Sequence, residues 1–353
     1  MKKFLTICKI VFVCFMLLLS VSCDNSYDAP NQSALNLPTS SQGLSFLLNS
    51  DGQSYELTGI GECTDEHIVI GSYNNKPVTS IGYGAFSNQK DIESVTISSC
   101  VTKIAESAFY KCYDLESVTI PDSVVDVGDG LFCGCENLKE VDIGNGIEKI
   151  TLSMFSGCFS LRKVSIPRSV KRIEDLAFSG CSNLNMVIIP DSVTTIGYGA
   201  FADCCKMETL GIGKGVVTIG DHAFCDCSSL SFVEIGSGVK TIGDFAFSNC
   251  TKIITLKIPG GVKQIGDSAF YNCTNLTLLE ICNGVQQIGE GAFYGCTSLM
   301  GATISVSVTT IGEYAFYRCN EYLIIQCYAK SKPSGWSSYW APYDTTVVWG
   351  YTG

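Results

Sequence analysis

Twenty cysteines and two histidines are the residues of this 353-residue chain whose types could do chemistry. In an exported protein so many thiols would ordinarily mean a disulfide framework, and beside histidine they could mean zinc. Their spacing argues against zinc: "CGC" at 133–135, "CDC" at 225–227 and "CC" at 204–205 lack the two C-x-x-C pairs of a structural site, and His67 and His222 stand far apart. No metal or cofactor is therefore expected. The chain carries no G-x-S-x-G elbow, no H-E-x-x-H and no G-x-x-x-x-G-K-[ST] loop, so no catalytic residue is assigned and the protein is read as a non-enzyme.

Cys23 has a context of its own. The opening "MKKFLTICKIVFVCFMLLLSVSC" places Lys2 and Lys3 before an apolar stretch that ends in small residues, the layout of a secretory signal peptide over residues 1–22. Ser20-Val21-Ser22-Cys23 resembles a bacterial lipobox, with Ser20 where leucine is usual, which makes Cys23 the expected lipidated N-terminus. A retained membrane span and a soluble secreted form cleaved elsewhere are the alternatives. The polar Ser, Asn and Pro of residues 24–42 read as a tether. The expected localisation is thus exported and lipid-anchored at the bacterial cell surface, at the outer membrane. Without residues 1–22 the chain has 20 basic against 34 acidic side chains, a net of −14, which argues against nucleic acid as a partner.

Ten other cysteines fall on a strict period. Phenylalanine recurs at 86, 109, 132, 155, 178, 201, 224, 247, 270, 293 and 316, and counting from each Phe, position +3 is Cys from Cys112 to Cys319. Leucine is usual at +6, β-branched residues or leucine hold +9 and +11, Val or Ile holds +15 and +18, and Ala usually precedes the next Phe. A fixed period of this length marks a solenoid, because one repeat cannot bury its own apolar side and stacking makes the core continuous. Positions +9 and +11 have the period of a strand with one buried face, and Pro121, Pro167, Pro190 and Pro259 at +12 end that strand. The +3 thiols then form a column of like residues whose parallel side-chain directions disfavour disulfides.

The fold class expected is a repeat solenoid, mostly β, with one long parallel sheet and short turns or single helical turns elsewhere. Residues 43–75, with two alternating stretches around "NSDGQS", read as an N-terminal β-hairpin cap. Residues 76–328 hold eleven repeats, and 329–353, with Trp336, Trp340 and Trp349, read as a C-terminal cap.

The unit A-F-x-x-C-x-x-L-x-x-V-x-I-P-x-S-V-x-x-I-G, seen almost unbroken in "AFSGCSNLNMVIIPDSVTTIGYG" (177–199), resembles the BspA-like leucine-rich-repeat family over residues 43–351. Leu131, Met154, Glu174 and Cys282 depart from it without breaking register. The resemblance implies a right-handed curved superhelix with its sheet on the concave face, on a bacterial surface protein that attaches to host or microbial macromolecules.

Positions +8, +10 and +12 alternate with the buried strand residues and define the face offered to a partner. Most are small or polar, among them Ser94, Thr96, Ser117, Thr119, Asp142, Ser165, Thr209, Glu234, Lys257, Glu280 and Thr303. Met186, Ile188, Phe232 and Leu278 are apolar there and are the candidate partner-binding residues. The expected function is recognition or adhesion through this face by a monomer, with a protein or glycan partner. The alternative is a self-associating scaffold of the cell envelope.

Overall fold

The computed structural model describes residues 37–352, so the expected leader 1–22, Cys23 and the tether as far as residue 36 lie outside the described residues. Within them the backbone winds as a β-solenoid of stacked parallel turns, with no helix.

One wall of each turn is a strand at +8 to +11, where β-branched residues alternate with polar ones and bury every second side chain, as in Ser117–Ile120 and Glu140–Ile143. The register is residue for residue, Glu140 opposite Ser117 and Glu280 opposite Lys257. This wall is interrupted once: eight strands run from His67–Ile70 to Phe232–Glu234, and five more from Thr255–Ile258 to Thr346–Trp349. The long sheet is thus divided after Glu234. A second wall, built from two-residue strands that end at +18 as far as Thr310–Ile311 and at +20 in the last, runs unbroken through nine turns from Lys149–Ile150 to Gly335–Trp336.

The eleven phenylalanines fill the third side and are fully buried. Successive rings lie nearly parallel, with centroids 4.9–5.6 Å apart and planes within 2–18° of each other. Stacking of this kind adds about 0.5–1.5 kcal/mol per pair to the burial of the rings. The corner is laced by backbone bonds from each Phe N–H to the next turn, Phe201 to Ala223 O at 2.8 Å for example.

The cysteine column explains itself here. Each of the ten +3 thiols donates to the carbonyl of the preceding turn's Phe, from Cys112 Sγ to Phe86 O at 3.0 Å through Cys227 to Phe201 at 3.2 Å to Cys319 to Phe293 at 3.3 Å. Cysteine is small enough for the column and brings a donor that alanine or valine lacks. Burial pushes the Cys158 and Cys296 thiols well up and Cys273 to about 12, which keeps them protonated donors. All seventeen cysteines among the described residues are free thiols.

Close approach of the turns restricts +14 to small residues. A Cβ on Gly238 would stand 1.9 Å from Lys214 O, and one on Gly215 1.9 Å from Asp191 O. Where serine takes this place, the Oγ atoms of Ser169 and Ser192 are buried without a hydrogen-bond partner. Such an orphan hydroxyl is costly, so Ser192→Ala is expected to stabilise the protein by roughly 1 kcal/mol, read as a raised urea midpoint. A lowered midpoint would show that the hydroxyl is satisfied in solution.

Both ends of the stack are covered. Residues 38–41 run beside the first long strand, with Ser41 N–H donating to Val69 O at 2.9 Å and Ser40 Oγ accepting from Gly71 N–H at 3.0 Å. The antiparallel pair Ser45–Leu48 and Tyr55–Gly59 joins, through Lys76–Ile81, a separate sheet that continues with Lys103–Ile104 and ends at Asp126–Val127, before the nine-stranded wall begins. At the other end Trp340 stands edge-on to Phe316, 5.7 Å between centroids at 87°.

Candidate recognition face

The outward side of the long-strand wall is where recognition could occur, since its alternate residues are the ones the core does not use. Met186, Phe232 and Leu278 all point outward at +8, 43%, 52% and 58% exposed, and Ile188 at +10 is 58% exposed. Cys23 lies outside the described residues.

Strand pairing shows how these side chains relate. Met186 is opposite Thr209, and Thr209 opposite Phe232; beyond the division of the sheet, Thr255 is opposite Leu278, Leu278 opposite Gly301, and Gly301 opposite Ile324. Large apolar residues therefore occupy alternate turns and small ones the turns between. The small positions leave room for the large. A Cβ on Gly301 would come within 3.1 Å of Leu278 Cδ2, and one on Gly211 within 3.1 Å of Ile188 Cδ1, so each side chain leans over the bare backbone of the next turn. Met186, Ile188 and Phe232 lie on the eight-stranded sheet and Leu278 on the five-stranded one.

Leu278 also lines a hollow of about 800 Å³ on the C-terminal part of the face. Val306, Tyr328 and Tyr351 also line it, and the two tyrosine rings meet edge to face at 5.4 Å. Lys257 and Glu280 span the floor as an ion pair of 2.7 Å. Hydrogen bonding to the ammonium lowers the Glu280 carboxyl from its ordinary range, and the same contact raises Lys257. Cys282, which replaces the usual proline at +12, donates to Glu280 Oε1 at 3.3 Å, and partial burial raises its thiol. The hollow thus pairs an apolar and aromatic rim with a fixed, internally neutralised pair of charges. It offers shape and desolvation rather than a reactive group.

Ile324, Val306, Tyr328 and Tyr351 are absent from the sequence-based candidates. Ile324 follows Leu278 at the spacing by which Leu278 follows Phe232, so the column could have been extended. Tyr328 closes the region read as repeats and Tyr351 sits in the region read as a cap, and only the folded chain brings them beside Leu278.

His222 takes φ +56° and stacks face to face on Phe245 at 5.0 Å, with Tyr198 5.4 Å away. It is a packed corner residue with no nucleophile bonded to it among the described residues.

A family model described as BspA type leucine rich repeat region matches residues 79–208 and 194–322. Among solved structures, a leucine-rich repeat protein from Bacteroides ovatus is 28% identical, with 84% of this chain and 88% of that chain covered and a TM-score of 0.67. A leucine rich cell surface protein from Faecalibacterium prausnitzii is also 28% identical, covering 89% of this chain and 97% of that one, with a TM-score of 0.43. No curated protein sequence matches the chain.

Proposed function

The chain belongs to the BspA-type leucine-rich-repeat family, and from that premise we propose that it is a non-catalytic cell-surface recognition protein. It holds a protein or glycan partner against the outward side of its long-strand wall. The observation that carries this reading is the hollow bounded by Leu278, Val306, Tyr328 and Tyr351, which gathers apolar and aromatic surface on a mostly hydrophilic face. Buried aromatic and aliphatic anchors of this kind supply most of the free energy of an interface.

Arrayed matrix proteins and polysaccharides would be probed with the mature protein and with Phe232→Ser/Leu278→Ser. The double substitution is expected to weaken the strongest interaction at least 10-fold, the scale of one lost anchor, with the melting temperature unchanged. Undiminished binding would place recognition elsewhere.

Attachment to the surface would come from Cys23. Cys23→Ala is expected to move the protein from the membrane to the soluble fraction, because the acyl chains supply about 0.8 kcal/mol per buried methylene. Retention in the membrane fraction would point to an uncleaved apolar leader.

The alternative is a self-associating envelope scaffold, and one observation favours it. The strand Thr346–Trp349 has no further strand beyond it among the described residues, which leaves an open edge for another copy. Native mass of the purified protein without ligand separates the readings, since a scaffold assembles and a receptor stays monomeric.

A further inference from the structure

At the N-terminal end of the same wall, three side chains from two successive turns converge, and we propose that Glu66, His67 and Glu93 form a divalent-metal site. One donor atom from each lies within 4.8 Å of the other two. The backbone brings them together: Glu93 N–H donates to Glu66 O at 2.8 Å, Ser94 N–H to the same carbonyl at 3.2 Å, and His67 is directly opposite Ser94 in the parallel ladder. The two glutamates are therefore stacked by the ladder itself.

The imidazole distinguishes this group from the acidic stretches elsewhere on the surface. Ser94 Oγ lies 3.0 Å from His67 Nδ1, and in the tautomer whose Nδ1–H donates to that hydroxyl the other ring nitrogen keeps its lone pair for a metal. The carboxylates at Asp221, Asp244 and Asp267 each accept the backbone N–H of the next turn, which occupies them structurally. Glu116, one turn beyond Glu93, is paired with Lys139. Glu66 and Glu93 have neither use: among the described residues no basic group stands within ion-pair distance of them. Two carboxylates held close at this spacing repel, and a divalent cation between them removes the repulsion.

One imidazole nitrogen and two carboxylate oxygens, with no thiolate, suit a first-row divalent cation such as Mn²⁺ or Zn²⁺. The three donors are exposed, so they can rotate inward to bonding distance, and water fills the remaining coordination positions.

Mn²⁺ is the cleaner probe because it disfavours the thiols that would compete for Zn²⁺. Titrating the mature protein with Mn²⁺ and following the free-ion signal by electron paramagnetic resonance should show one bound ion per chain. His67→Asn and Glu93→Gln should each weaken that binding at least 10-fold, the loss typical of a disturbed coordination set. Glu116→Gln should leave it unchanged, and circular dichroism should show all three variants folded. Mn²⁺ binding that is absent in the parent protein, or equal in parent, His67→Asn and Glu93→Gln, would overturn the assignment.

Discussion

Phe201→Ala is expected to cost about 3–5 kcal/mol, the range for emptying an aromatic site in a packed core. The ring lies between Phe178 at 4.9 Å and Phe224 at 5.3 Å, nearly parallel to both, and is fully buried. Its main-chain carbonyl accepts from Cys227 Sγ and its N–H donates to Ala223 O, so the backbone on either side is fixed and cannot collapse into the vacated space. Each turn contacts mainly its two neighbours, and weakening one central junction uncouples the stack into an upstream and a downstream block. The urea transition, followed by circular dichroism, should therefore fall in midpoint and broaden or split. A single sharp transition at the parent midpoint would mean that the rings do not couple the turns. Phe201→Leu keeps most of the volume and loses the stacking, so it should fall between the two.

Trp336→Ala should cost a similar amount, roughly 3–5 kcal/mol, but with a different spatial signature. Trp336 is buried, donates its indole N–H to Val308 O at 3.1 Å, and touches Trp340 at 4.9 Å and Trp349 at 5.6 Å between centroids. Together these rings close the apolar end of the stack. Without Trp336 the last turns lose their cover while those around Phe109 keep theirs. Hydrogen exchange should therefore accelerate over residues 300–350 and change little before residue 200. Uniform acceleration along the chain would show one cooperative unit in place of a nearest-neighbour stack.

The parts of the molecule that could be read from sequence are those whose neighbours recur at a fixed spacing. Phe201 packs on Phe178 and Phe224 because each residue meets its counterpart one turn away, so a column in the sequence becomes a column in space. The same logic made the +3 thiols a stack, although the carbonyl each one meets belongs to Phe in the preceding turn and required the corner geometry. The face was legible only where it keeps the period. Met186, Phe232 and Leu278 were found by column, whereas the wall formed by Tyr328 and Tyr351 depends on how the chain closes after the last repeat. Glu66 and His67 meet Glu93 and Ser94 at a spacing of 27 rather than 23, because the reversal between Ser72–Tyr73 and Lys76–Ile81 lengthens that turn. A repeat-based reading passes over such a pair. The division of the long wall after Glu234 likewise leaves no mark on the repeat.

Deleting one whole period is the most direct test of lockstep stacking. Removal of residues 201–223 joins Ala200 to Phe224, restoring every column in a shorter solenoid. Removal of residues 201–212 joins Ala200 to Gly213 and puts strand-exit residues where the ring column should continue. Thermal unfolding followed by circular dichroism should show a cooperative transition and a β-rich spectrum for the first deletion and neither for the second. If the two deletions proved equally harmful, or the out-of-phase one proved the milder, the 23-residue turn would not be the unit from which this protein is built.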